Sequence, residues 1–200
     1  MTGITLVTDR HLCGPDRLIE CVEAALRGGV AAVQLREKDL DARALLDLAA
    51  ALLPPCRRAG VPLLINDRID VALASGADGV HLPGNSFRVG EARSLLGQGR
   101  IIGVSTHSPE EVAAAAAAGA DFAFFGPIYA TASKAGFGAP QGVEGLQAAC
   151  AAASIPVIAI GGITPARMSE IRRAGAAGAA VISAILATAD AASAAAAFHL

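Results

Sequence analysis

Residues 155–164 read IPVIAIGGIT. A run of apolar, partly β-branched residues stops abruptly at Gly161-Gly162, and Thr164-Pro165 follows. Such a run reads as a β-strand buried on both faces. Paired glycines carry no Cβ, so the loop backbone can come close to a ligand. Thr164 as cap and Pro165 in the first turn make a helix start. Strand, glycine turn and helix N-terminus together suit an anion, most often phosphate. A tight turn with no ligand uses the same residue types.

Outward from this stretch the same grammar recurs. Apolar runs at 4–7, 30–35, 61–65, 79–82, 100–104, 121–125 and 178–182 read as further strands. Most end in polar residues: Thr8-Asp9-Arg10, Arg36-Glu37-Lys38, Asn66-Asp67-Arg68, Ser105-Thr106-His107 and Ser183. Helix-like segments lie between them. Asp16, Asp41 and Ser108 are placed to cap three of these, the last with Glu111 three residues on. Pro54-Pro55 should end or kink the helix that Asp41 opens. Residues 127–142 form a long loop rich in Gly, Ala and Pro, a length that is usually functional or disordered. Eight strand-like runs in 200 residues give about 25 residues per unit. The expected α/β fold is a (β/α)8 TIM barrel forming one domain over residues 1–200. An open doubly wound sheet is the competitor.

Composition narrows the function. Hydrophobic residues make up 54% and charged ones 17%, which supports a large core and argues against disorder. The formal net charge is −2 with no long basic block, so no nucleic acid partner is expected. No apolar run reaches the roughly 18 residues of a membrane span. The N-terminus lacks a signal-peptide layout, and a cytoplasmic location is expected. Cys13, Cys21, Cys56 and Cys150 show no metal or redox spacing and read as free thiols. Nothing in the composition fixes the oligomeric state, and a homo-oligomer is compatible with it.

In a barrel the reacting groups sit just past the C-terminal strand ends. That rim would gather Arg36 and Lys38, Asn66 and Asp67, His81, Ser105, Thr131, Ser133, Lys134, Gly161-Gly162 and Ser183. Three cations and one carboxylate able to take a hard metal suit phosphoryl or diphosphate ligands. Each residue also has an ordinary reading. Arg36-Glu37-Lys38 could be a solvated turn, Asp67 a cap, Lys134 a surface lysine, and His81 a hydrogen-bonded core histidine. His107 could belong to a helix start, and the serines and threonine could be turn residues.

The segments LVTDR (6–10), VQLREK (33–38), LLINDR (63–68), ADGVHL (77–82), IIGVSTHS (101–108), FFGPIYATASK (124–134) and PVIAIGGIT (156–164) carry a likeness across nearly the whole chain. In these residues the chain resembles the thiamine phosphate synthase / TenI family. The resemblance implies a barrel enzyme of thiamine biosynthesis. Its synthase branch joins hydroxymethylpyrimidine diphosphate to a thiazole phosphate and releases pyrophosphate. It further implies that Gln34, Arg36, Lys38, Asn66 and Lys134 bind the diphosphate and pyrimidine. Asp67 would hold Mg²⁺, Ser105 would sit by the diphosphate and pyrimidine, Thr131 and Ser133 would line the thiazole side, and Gly162 and Ser183 would hold the thiazole phosphate. The implied chemistry is dissociative: diphosphate departs, a pyrimidine-stabilised cation forms and the thiazole nitrogen attacks, with no protein nucleophile.

One departure stands out. The synthase branch closes its fourth strand with HLGQxD, whose Asp helps bind Mg²⁺. This chain reads His81-Leu82-Pro83-Gly84-Asn85-Ser86, with Ser86 at the place of that Asp. HLPGNSF resembles the TenI branch instead, which performs thiazole tautomerisation. Yet that branch uses a His after the sixth-strand Gly, and Pro127 stands there as in the synthase. The expectation is a synthase-type transferase. The alternatives are a TenI-like tautomerase, with His81 or His107 as proton carrier, and a non-catalytic thiamine-phosphate-binding regulator.

Overall fold

The computed structural model describes residues 1–14, 17–130 and 139–199. Eight parallel strands pair in chain order and close on themselves: β1 (Gly3–Val7), β2 (Ala32–Leu35), β3 (Leu63–Asn66), β4 (Gly79–Leu82), β5 (Ile101–Thr106), β6 (Phe122–Phe125), β7 (Val157–Ile160) and β8 (Gly178–Val181). The closing seam sets Gly3 to Leu6 of β1 against Gly178 to Val181 of β8. The barrel is therefore present, and the open-sheet alternative is excluded.

β7 shows why its sequence is apolar throughout. Ile158 points into the barrel and packs with Val7, Leu64, Phe122, Phe124 and Ala180. Its neighbours Val157 and Ala159 join the outer layer between strands and helices. A period of two with both faces covered needs an unbroken hydrophobic run. Inside the barrel, Gly103 of β5 makes room for a ring. A Cβ at Gly103 would run into the Phe122 side chain.

The helices form the outer ring: α1 (Arg10–Cys13), α2 (Leu18–Arg27), α3 (Ala42–Ala59), α4 (Ile69–Ser75), α5 (Val89–Leu96), α6 (Pro109–Ala117), α7 (Gly142–Ala152), α8 (Met168–Arg173), α9 (Ser183–Leu186) and α10 (Ala191–Ala196). Asp41 caps α3 by accepting from the Ala44 N–H at 2.8 Å, and Ser108 caps α6 by accepting from Glu111 N–H at 3.2 Å. The Asp16 cap lies outside the described residues.

Two local expectations fail. Pro54-Pro55 does not end α3, which runs through both prolines to Ala59. A helix-interior proline costs about 3 kcal/mol. Leu52, Leu53, Pro55 and Cys56 are buried here, and each leucine returns about 1.5–3 kcal/mol. Gly60, in the left-handed region, then closes the helix on the carbonyls of Arg57 and Cys56. Thr164 makes no side-chain cap either: Pro165 opens a short 3₁₀ turn, Pro165–Arg167, ahead of α8.

Candidate active site

At the C-terminal strand ends lies a cavity of about 870 Å³. Gln34, Arg36, Lys38, Asn66, His81, Ser105, His107 and Ser183 line it, over a floor of Val7, Phe124, Ile160 and Ile182. The volume is that of a small-molecule pocket. A second depression of about 590 Å³, lined by Arg57, Asp78 and Arg100, opens at the other end of the barrel. Its two guanidiniums are engaged on the Gly76 and Ala77 carbonyls. That end of a barrel serves stability, so the first cavity is the candidate site.

The sequence after β2 alternates. Arg36 and Lys38 line the cavity, and neither forms an ion pair among the described residues. Between them Glu37 turns the other way and is buried. Its carboxylate accepts from the Arg10 backbone N–H at 3.1 and 3.2 Å and from Arg10 Nη1 at 3.2 Å. Arg10 also forks onto Asp39, with both bonds at 2.6 Å, and His11 Nε2 lies 3.1 Å from the same carboxylate. The Arg10 hydrogen bonds hold the Asp39 carboxyl well below the usual carboxylate range. Arg36 N–H donates to Thr8 Oγ1 at 2.8 Å. The segment is thus not a solvated turn. It is sewn to the loop after β1.

Deeper in, Gln34 Nε2 donates to Asn66 Oδ1 at 3.0 Å and to His81 Nδ1 at 3.1 Å. With Nδ1 accepting, neutral His81 carries its proton on Nε2. The imidazole is buried and lies against Phe124, ring centroids 4.3 Å apart. Gln34 Oε1 is buried with no hydrogen-bond partner among the described residues. A buried orphan acceptor costs about 1–3 kcal/mol, which a ligand donor would remove. Ser105 belongs to β5 itself, because the strand continues to Thr106, two residues beyond its apolar run. His107 Nδ1 donates to the Gly126 carbonyl at 2.6 Å, as a carbonyl can only accept.

Asp67 follows β3 with φ of 66°, the one non-glycine residue at positive φ among the described residues. Its N–H donates to the His81 carbonyl at 2.9 Å. Its carboxylate accepts from Ser86 Oγ. Asp67 does not itself line the cavity, whereas Pro83, Gly84 and Asn85, just ahead of Ser86, do. Ser86 therefore stands where an aspartate would set a second carboxylate beside the first. No group of three acidic, histidine or cysteine side chains that could hold a metal ion occurs among the described residues.

Across the mouth, the glycine turn is explained first by packing. Gly161 and Gly162 have φ of 100° and 66°. A Cβ at Gly161 would sit 2.6 Å from Pro127 Cβ, and one at Gly162 would sit 2.8 Å from Tyr129 Cβ. Ile128 and Tyr129 N–H groups donate to the carbonyls of Ile160 and Gly161 at 2.9 and 3.1 Å. Arg167 lies 4.0 Å over the Tyr129 ring and donates to the Gly162 carbonyl. Tyr129 Oη donates to Glu170 at 2.7 Å. Burial, then the Glu170 hydrogen bond, pushes the phenol up to about 12. Gly162 is beside the cavity rather than among its lining residues, while Ser183 lines it.

The structure thus brings Gln34, Arg36, Lys38, Asn66, Ser105 and Ser183 to one cavity, with Asp67 and Gly162 at its margins. Thr131, Ser133 and Lys134 lie outside the described residues. Sequence reasoning passed over Arg10, Glu37, Asp39, Tyr129, Arg167 and Glu170. The alternation in VQLREK was the available signal for Glu37. Arg10 was marked only as part of the polar end of β1, and nothing local marks the other four.

Comparison with known proteins places the chain in a family. The family described as thiamine monophosphate synthase matches residues 4–185. A Geobacter sulfurreducens protein, provisionally named a thiamine-phosphate synthase, is 54% identical over 175 residues, covering 88% of this chain and 82% of that protein. The thiamine-phosphate synthase of Roseiflexus castenholzii is 46% identical over 173 residues, covering 86% and 76%. Among solved structures, thiamine phosphate pyrophosphorylase from Pyrococcus furiosus superposes with a TM-score of 0.90 at 33% identity, covering 99% of this chain and 94% of that one. On these grounds the chain belongs to the thiamine monophosphate synthase family.

Proposed function

We infer that this chain is a thiamine-phosphate synthase-type transferase, joining hydroxymethylpyrimidine diphosphate to a thiazole phosphate with release of pyrophosphate. The observation that carries the reading is the pair Arg36 and Lys38, two cations in the cavity wall with no counter-ion among the described residues. A diphosphate supplies the missing negative charge. Departure of that diphosphate builds charge on its oxygens, and fixed cations stabilise it without reorganising. Arg36, Lys38 and, from the resemblance, Lys134 carry this role. Ser105 and Asn66 donate to the diphosphate and pyrimidine. Gln34 Oε1 accepts from the pyrimidine's amino group and so satisfies its orphan lone pairs. Ser183 and the Gly162 turn receive the thiazole phosphate, with Thr131 and Ser133 on the thiazole side. The floor of Val7, Phe124, Ile160 and Ile182 excludes water from the reacting carbon.

The donor set at Asp67 fits Mg²⁺ in a limited way. One carboxylate and the Ser86 hydroxyl suffice only where substrate phosphates supply most of the remaining oxygens, which is the usual habit of this ion. When bound, Mg²⁺ neutralises diphosphate charge, and Asp67 and Ser86 would hold it.

A TenI-like tautomerase is the second reading, favoured by His81 and His107 both lining the cavity and by Ser86 at the aspartate position. The test is incubation with both precursors and Mg²⁺, followed by detection of thiamine phosphate. Its formation is expected. Metal-independent isomerisation of the thiazole with no coupling would overturn the first reading in favour of the second.

A further inference from the structure

We propose that Glu37 is a positioning residue that aims Arg36 and Lys38 at the diphosphate by locking onto Arg10; this rests on the transferase reading above. A carboxylate between two anion-binding cations would oppose ligand binding if it faced the cavity. It faces away, with its side chain only 1% exposed. The period of two that runs through β2 continues past the strand end. Residues 36 and 38 point one way, and 37 and 39 point to Arg10.

The lock has three strands of chemistry. Both Glu37 oxygens take the Arg10 backbone N–H, one of the α1 amides that has no helical acceptor. The same carboxylate takes the Arg10 guanidinium, so its counter-ion lies outside the cavity. Arg10 is in turn held from outside by Asp39. One buried side chain therefore fixes two pieces of the mouth. It holds α1, whose Leu12 lines the cavity, and it spaces the two cavity-lining cations. The main chain at Arg36 is pinned as well, because its own N–H donates to Thr8 Oγ1.

The experiment titrates inorganic pyrophosphate with Mg²⁺ into the full chain by calorimetry and measures steady-state kinetics on both substrates. Glu37→Gln keeps the shape and removes the charge. It is expected to weaken pyrophosphate binding and raise KM for the pyrimidine diphosphate on the order of tenfold, while KM for the thiazole phosphate stays put. Arg10→Met removes the partner without touching the segment between the cations, and should give the same split if Glu37→Gln proves too unstable to assay. Glu37→Asp should recover part of the loss. Equal changes in both KM values, or wild-type pyrophosphate affinity in folded Glu37→Gln, would overturn the proposal. So would a wild-type protein that binds no pyrophosphate. If wild type binds pyrophosphate yet makes no thiamine phosphate, the transferase reading fails, and the binding titration still decides the role of Glu37.

Discussion

The two corners of the cavity are built on different physics. The β1–β2 corner is a lattice of side-chain charge: Arg10 bridges Glu37 and Asp39, while Arg36 and Lys38 form no ion pair among the described residues. The β6–β7 corner is main chain and ring: Gly161 and Gly162 at positive φ, pressed on Pro127 and Tyr129, with Arg167 stacked over the phenol. The difference teaches where tolerance lies. A charge lattice can lose a member and keep its fold, whereas a close-packed turn cannot accept one extra carbon.

The largest effect should come from Arg36→Ala. Loss of a free cation facing the leaving group should lower kcat/KM by about a hundredfold or more, with little change in melting temperature. An unaltered rate would mean that the charged corner does not meet the diphosphate. Gly162→Ala should do the opposite. It should destabilise the chain by about 1–3 kcal/mol in denaturant titrations, because an alanine resists this φ and its Cβ meets Tyr129. If stability holds, the turn is looser than the packing implies.

Ser86→Asp sits between the corners. It sets a second carboxylate against Asp67, so the metal-free protein should lose stability from like-charge repulsion while Mg²⁺ binding strengthens. Calorimetry showing unchanged Mg²⁺ affinity would remove Ser86 from the metal's surroundings.

Tyr129 is the only tyrosine, so alkaline absorbance reports the β6–β7 corner directly. Its folded-state pKa lies at about 12, above the unfolded value of about 10. The linked stability is whole below pH 10 and is lost as pH rises through 12. Glu170→Gln should bring the titration down, since the neighbouring negative charge goes with it. Tyrosinate appearing at about 10 in the wild type would show that the phenol is not held this way.

The smallest effect belongs to Asp39. Its depressed carboxyl contributes stability above the ordinary carboxylate range, and that contribution fades as pH falls. The group is exposed, so Asp39→Asn should barely move the acid transition.

The barrel was readable because each strand announces itself locally, as an apolar run that ends in polar residues. The cavity-facing residues were readable for the same reason, since strand ends and site coincide in this architecture. Strand ends were less so: Ser105 and Thr106 belong to β5 although its apolar run stops at Val104. The braces were not readable. Arg10 meets Glu37 across 27 residues and Tyr129 meets Glu170 across 41, and only barrel closure brings such partners together. The role of the glycine pair could not be read from sequence, because backbone freedom looks alike whether the space left by a missing Cβ is taken by a ligand or by a neighbouring loop.

Gly103 and Phe122 carry a consequence for how such a barrel can diverge. The ring occupies the space that the missing side chain leaves. Enlarging the glycine first forces a collision, and shrinking the ring first opens a hollow among Val7, Leu64 and Ile158. Exchange of bulk between these two strands is therefore passable in one order only: the phenylalanine must give way, and the hollow must be borne, before β5 can gain a side chain.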